Sequence, residues 1–274
     1  MPHPPNTFDI ELNLLLEAVY QKYQHDFRHY ARSSLRRRIR QALERFNCPT
    51  VSRLQERVLH EPDVFAQMLQ YFTVQVSEMF RDPAYFLALR RQVLSVLSTY
   101  PSIRIWVAGC STGEEVWSLA IMLAEEGLLD RTILYATDIN PEALKTAEAG
   151  IYDIGRIAAF SRAYLDAGGT RSLADYYTAS EHGVLFDRAL RRNAVFADHS
   201  LATDSVFSEV HLVSCRNVLI YFDRELQERA LGLFHESLIH RGFLGLGSRE
   251  TLRFSSHATQ FAEFCPSERI YQRL

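Results

Sequence analysis

The chain has 274 residues, enough for one large α/β domain plus a smaller one. Hydrophobic residues make up 47% and charged residues 23%, a balance that excludes a disordered chain. Formal net charge is -3 and the pI is near 6.4, so the molecule as a whole gives no electrostatic reason to bind nucleic acid.

Residues 1 to about 100 read as helix throughout. Phe8, Leu12, Leu15, Val19 and Tyr23 share one helical face, and Leu35, Ile39, Ala42 and Phe46 mark a second helix. Ser52 with Gln55 has the spacing of a capping box for a third. Pro62 suits the first turn of a fourth, followed by Phe65, Met68, Leu69 and Phe72 at helical spacing. Asp82-Pro83 reads as cap and first turn of a fifth, through Phe86, Leu89, Val93 and Leu97.

The pattern then alternates. Residues 102–108 read as a buried strand, 113–126 as a helix and 132–137 as a strand, and Asn140-Pro141 opens the next helix. Residues 210–214 read as a strand, Asp223 caps a helix through Leu226, Ala230, Leu233 and Ser237, and residues 242–247 and 269–274 read as the last two strands. This alternation predicts an α/β fold with a mostly parallel sheet covered on both faces. Residues 153–195 break the rhythm, with four glycines and short apolar runs at 183–186 and 194–196. They read either as an insertion of short antiparallel strands or as an irregular loop with a helix.

Cys48, Cys110, Cys215 and Cys265 are far apart in sequence, with no CxxC and no zinc spacing, so no metal site is expected and the thiols fit the reducing cytosol. The first residues lack a basic stretch followed by an apolar run, and no run approaches 18 apolar residues, so neither a secretory leader nor membrane insertion is expected.

In an open parallel sheet, ligands sit beyond the carboxyl ends of the strands. Those ends carry Gly109-Cys-Ser-Thr-Gly-Glu-Glu115, Asp138 and Cys215-Arg216-Asn217. The GxxxG spacing is neither the dinucleotide fingerprint nor a Walker loop. Glu114 and Glu115 would repel a pyrophosphate, whereas one of them could hold an ammonium; they could also simply complement the helix dipole. Asp138 suits the two hydroxyls of a ribose, with helix capping as its other reading. Arg216, Asn217 and Tyr221 suit the positioning of an amino-acid end, or form a structural loop.

Four segments resemble the CheR family of chemotaxis receptor glutamate O-methyltransferases: FTVQVSEMFR (72–81), WVAGCSTGEE (106–115), ATDIN (136–140) and CRNVLIYF (215–222). The resemblance covers nearly the whole chain, and STGEE together with CRNVLIYF is highly specific. It implies a helical N-terminal domain and linker over residues 1–88. A Rossmann-like class I methyltransferase domain would follow over 89–274, with a small antiparallel β-subdomain inserted at about 153–195. It also implies S-adenosyl-L-methionine as cofactor and S-adenosyl-L-homocysteine as product. By that resemblance Gln75, Ser77 and Arg81 lie near the methionine end, Glu115 takes the ammonium, Asp138 the ribose, and Ser200 with Leu201 the adenine. Arg216 and Asn217 line the pocket, Tyr221 stands by the sulfonium methyl, and Arg81, Arg216 and Tyr221 form the expected catalytic set. The chain departs from the family's pattern at Gln75 (often Asn), Ser200 (often an amide) and Val116-Trp117 (often Pro-Tyr).

The implied partners are the cytoplasmic domains of methyl-accepting chemotaxis receptors, and the implied location is the cytoplasm. Some family members also grip a C-terminal receptor pentapeptide through the β-subdomain, which residues 153–195 leave open. With Leu35 and Ile39 inward, Arg36, Arg37 and Arg40 fall within about 100° of one another on the opposite helix face. That face reads as solvated, as a nucleic-acid contact or, by the resemblance, as a dock for an acidic receptor helix. Two other functions stay open: a methyltransferase of this fold acting on RNA or a small molecule, and a non-catalytic adaptor. The first lacks an N/D-P-P-Y/F motif here, and the second would have lost Glu115, Asp138 or Arg81, all present.

Overall fold

The protein is described by a computed structural model over residues 6–73, 76–181 and 183–274. Four helices open the chain: α1 (Thr7–Tyr23), α2 (Arg32–Arg45), α3 (Val51–His60) and α4 (Pro62–Phe72). Their apolar faces meet in one core, where Leu12, Leu16 and Val19 pack with Leu35, Ile39, Leu54, Met68 and Phe72. Asn6 caps α1 by accepting from the Asp9 amide. The cap of α3 is Thr50, which accepts from Arg53 N, and not the expected Ser52. Ser52 lies inside the helix and donates to Glu11 on α1 at 2.5 Å.

A helix from Pro83 follows: α5 (Pro83–Ala88), a π-helical turn Leu89–Val93 and α6 (Leu94–Leu97). The 88/89 division drawn from sequence falls within it, and its residues Tyr85, Phe86, Leu89 and Val93 pack with the sheet. The elements that follow are β1 (Ile103–Ala108), α7 (Glu114–Glu125), β2 (Thr132–Asp138), α8 (Pro141–Ala149), β3 (Ile151–Tyr152), α9 (Ile157–Asp166), β4 (Tyr177–Ser180), β5 (Gly183–Phe186), β6 (Ala194–Asp198), β7 (Val210–Cys215), α10 (Arg224–Ser237), β8 (Leu238–Leu246), β9 (Phe261–Cys265) and β10 (Ile270–Arg273).

The main sheet has the order β6-β2-β1-β7-β8-β10-β9. Its first five strands are parallel, and β10 runs antiparallel to both β8 and β9. The reversal of strand order between β1 and β7 opens the crevice where such sheets bind ligands. A second sheet, β3-β5-β4, is small and antiparallel. Of the two apolar runs grouped as an insertion, 183–186 belongs to this small sheet. The run at 194–196 belongs instead to β6, which pairs in parallel with β2 at the edge of the main sheet. Strand β9 was not expected from sequence, because Phe-Ala-Glu-Phe-Cys lies half-buried at a sheet edge and carries little alternation.

Candidate functional site

Two glycines shape the turn after β1. Gly109 (φ 72) lies so close to the loop after β7 that a Cβ would fall 2.6 Å from Val218 Cγ2. Gly113 (φ 90) lies equally close to α8, 2.6 Å from Ala147 Cβ. The turn is thus pressed between its neighbours, and Ser111 between the glycines also takes a positive φ of 50. Its amide donates to Asp138 Oδ2 at 2.8 Å, while Asn140 N donates to Oδ1 at 2.9 Å. Asn140 also caps α8, accepting from Glu142 N and Ala143 N. Asp138 therefore does not serve as the cap, and each of its oxygens keeps accepting capacity toward the crevice. Burial holds its carboxyl above the ordinary aspartate range despite these amides.

The adjacent glutamates of α7 point to different places. Glu114 is fully buried and pairs with Arg156 of the insertion at 2.7 Å, with Thr112 Oγ1 donating to its other oxygen. Glu115 faces the crevice. It accepts from Ser214 Oγ at 2.6 Å and from Arg216 Nη1 at 3.1 Å. Since the Ser214 hydrogen goes to Glu115, the Tyr85 hydroxyl donates to Ser214 at 2.8 Å. Arg216 is enclosed: Nη2 donates to Asp82 Oδ2 at 2.7 Å and to the Arg81 carbonyl at 2.9 Å, and the guanidinium lies 4.1 Å from the Tyr85 ring centre. Two carboxylates on one guanidinium leave a net charge of -1 beside the crevice from these three groups. The arrangement accounts for Arg216 as the organiser of two acids rather than as a free cation.

Asp82, expected as a cap, makes no side-chain cap bond and sits at φ 55. Phe80 sits at φ 51, held by its amide donating to Ser118 Oγ at 2.8 Å. Such conformations cost on the order of 1–3 kcal/mol each and persist only where the surroundings impose them. Here they bracket Arg81 and turn Asp82 onto Arg216. The Arg81 guanidinium has no ion pair among the described residues.

Glu250 organises the loop after β7. Its buried carboxylate accepts from Gly247 N at 2.7 Å, Asn217 N at 3.0 Å and Ile220 N at 3.2 Å. Burial raises its carboxyl, with those amides acting in the opposite sense. The far end of this loop is tied to the helical domain. Ala31 N donates to Tyr221 O and Asp223 N to His29 O, each at 2.8 Å, and Tyr30 forms a β-bridge with Phe222.

These segments enclose a cavity of about 960 Å³, counting the solvent at its mouth. Of the residues expected there, Ser77, Arg81, Glu115 and Asp138 line it, as do Leu201, Arg216, Asn217 and Tyr221. Gln75 lies outside the described residues. Ser200 is not among the walls: its Oγ accepts from Ala202 N and its amide donates to Asp204, so it serves a local turn. His199 and Ile139 are among the walls instead. Cys110 also faces it, but burial raises its thiol well above the ordinary range and leaves it a poor nucleophile. Arg36, Arg37 and Arg40 are exposed on α2, away from the cavity. Arg36 is held by Asp9 at 2.7 Å, and Arg40 lies 5.3 Å from the Phe8 ring centre. Sequence reading missed Tyr30, Asp82, His199, Ser214 and Glu250, whose partners are remote in the chain.

The donor set fits S-adenosylmethionine: an acceptor carboxylate at the β2 end for ribose hydroxyls, and a net negative cluster for an ammonium. The match to known proteins is extensive. Residues 10–73 match the family model described as the CheR methyltransferase all-alpha domain, and residues 75–268 the CheR methyltransferase SAM binding domain. A Pseudomonas putida protein named "Putative methyltransferase Cher3" is 59% identical over 97% of both chains. A Listeria monocytogenes protein named chemotaxis protein methyltransferase is 29% identical, over 81% of this chain and 83% of that one. Chemotaxis protein methyltransferase 2 of Pseudomonas aeruginosa is 29% identical, over 72% of this chain and 70% of its own. The chain belongs to the CheR methyltransferase family, with S-adenosylmethionine as its cofactor.

Proposed function

We propose that this methyltransferase transfers the methyl group of S-adenosylmethionine to glutamate side chains of chemoreceptor cytoplasmic domains, giving glutamyl methyl esters. The observation that carries this reading is the pairing of two charges at one cavity. The Glu115–Arg216–Asp82 cluster is net negative, and Arg81 beside it has a guanidinium without an ion pair among the described residues. The first suits an ammonium and the second a carboxylate. The names of the relatives, chemotaxis protein methyltransferases, support receptors as the acceptors. No helix of the described residues is long and apolar enough to cross a membrane, and the reading puts the enzyme in the cytoplasm beside the receptor signalling domains.

The cofactor supplies an electrophilic methyl on a sulfonium. In this reading Asp138 holds the ribose hydroxyls, Glu115 the ammonium, and Leu201 packs on the adenine. Arg81 aligns the acceptor carboxylate, and Tyr221 closes the reacting end. A glutamate with a reference pKa of about 4.3 arrives ionised, so no general base is required. The residues contribute orientation and closeness, which can supply most of the acceleration of such a displacement. Arg81 must not grip the acceptor too firmly, since stabilising the ground state as well as the transition state gains nothing.

The test is methyl transfer from labelled cofactor to receptor-rich membranes and, in parallel, to RNA. The proposal expects label in the receptor band that mild base releases as methanol. Label confined to RNA, or a base-stable receptor label, would overturn it.

A further inference from the structure

Arg38 is the one arginine of α2 that turns inward, 5% exposed, while Arg36, Arg37 and Arg40 of the same helix face solvent. Its Nη1 donates to the carbonyl of Phe72, the last residue of α4. Its guanidinium lies over the ring of Tyr221, 4.9 Å from the ring centre. Nη2 is buried and has no hydrogen-bond partner among the described residues.

A buried guanidinium with so few partners is expensive to desolvate. Its surroundings in the helical core are apolar, with Phe27 stacked on Phe72 at 4.4 Å. What the guanidinium does reach is the Phe72 carbonyl, at a helix end where carbonyls lack partners, and the face of an aromatic ring, which attracts a desolvated cation. Both contacts adjoin the cavity, which Phe72 and Tyr221 line. The backbone of Tyr221 is already held, by Ala31 N from one side and by the Glu250 carboxylate along the loop. The ring's own torsions remain to be set, and the Arg38 guanidinium lies over it from the helical domain.

We infer that Arg38 is a positioning residue for Tyr221: it fixes the ring at the reacting end of the cavity and makes the transfer step depend on the seating of α2. This rests on the proposed placement of Tyr221 beside the transferred methyl. The same helix carries Arg37 and Arg40 outward, so an acceptor docked on its outer face bears on the element whose inner face holds the ring.

The test combines kinetics with a reporter in the ring itself. Arg38→Met is expected to lower kcat about tenfold while S-adenosylhomocysteine affinity and receptor KM stay within twofold. Arg38→Lys, which keeps a cation over the ring, should recover part of the loss. In a Tyr221→Leu background, Arg38→Met should cost nothing further. A merely structural arginine predicts additive losses and weakened S-adenosylhomocysteine binding instead. The reporter is 3-fluorotyrosine at position 221, read by fluorine NMR in the S-adenosylhomocysteine complex. One narrow resonance is expected in the parent protein, and a shifted or broadened one in Arg38→Met. This readout does not depend on the acceptor: a changed resonance with no receptor methylation would uphold the positioning role and discard the proposed acceptor. An unchanged resonance, in Arg38→Gln if Arg38→Met fails to fold, would overturn the inference, as would full additivity with Tyr221→Leu.

Discussion

At the scale of the residue, Asp138 is the most informative single group. It is buried, its carboxyl is raised, and beyond the amides of Ser111 and Asn140 it keeps accepting capacity toward the crevice. If the ribose hydroxyls donate to it, Asp138→Ala should weaken S-adenosylhomocysteine binding by about 1.5–3 kcal/mol, read by calorimetry on folded protein. The ribose hydroxyls favour the ionised carboxylate, so binding lowers its affinity for protons. Cofactor affinity should therefore fall as pH drops through the raised pKa of Asp138, and Asp138→Asn should flatten that dependence. Equal pH dependence in parent and variant would place the ribose elsewhere. Tyr221→Phe keeps the ring and its contact with Arg38 and removes only the hydroxyl. It should leave cofactor affinity nearly unchanged and slow single-turnover transfer; a large affinity loss with an unchanged rate would mean the phenol serves the cofactor.

At the scale of the element, the loop after β7 and helix α2 carry separate consequences. Glu250 accepts three amide hydrogens that a glutamine, with one acceptor oxygen and two added donors, cannot all receive. Glu250→Gln should cost about 1–3 kcal/mol in denaturant unfolding and weaken S-adenosylhomocysteine binding, because Asn217 and Tyr221 belong to the same loop. Unfolding midpoints that coincide with the parent would remove Glu250 from this role. On α2, Arg37→Glu with Arg40→Glu should raise receptor KM, worst at low salt, since exposed charges are screened over about 10 Å at 0.1 M. Arg36→Glu should raise it less, because Asp9 already occupies that guanidinium. Receptor KM values indifferent to charge and salt would make the face merely solvated. The helix itself was legible from Leu35, Ile39 and Ala42, and so were β1, β2 and β7 from their apolar runs. The edge strand β9 was not, because a strand with one exposed face and one neighbour resembles a loop in composition, and the apolar run of β6 was legible but was assigned to the insertion rather than to the edge of the main sheet. The cap was read at Ser52 rather than Thr50 because Gln55 completes the S-x-x-Q spacing, whereas Thr50 has Arg53 at that offset and caps through its own hydroxyl alone.

At the scale of the whole molecule, the cavity belongs to both halves of the chain. The segment at residues 29–31 pairs with residues 221–223, and Tyr30, Phe72 and Thr73 stand among the cavity walls with residues of the sheet. The strand-end residues Glu115, Asp138, Arg216 and Asn217 could be read from the sequence because an open sheet places its ligands there. The contributions of Tyr30, Arg38 and Glu250 could not, since each acts through tertiary contacts that no local spacing encodes. The acceptor is the central claim of this arrangement. It is tested most directly by incubating the enzyme and S-adenosylmethionine with a purified receptor cytoplasmic domain and mapping the modified peptides by mass spectrometry. The predicted result is a methyl ester on glutamate side chains, lost after mild base and absent with Asp138→Ala at limiting cofactor. Methylation on nitrogen, or a receptor left unmodified while another substrate is methylated, would contradict it.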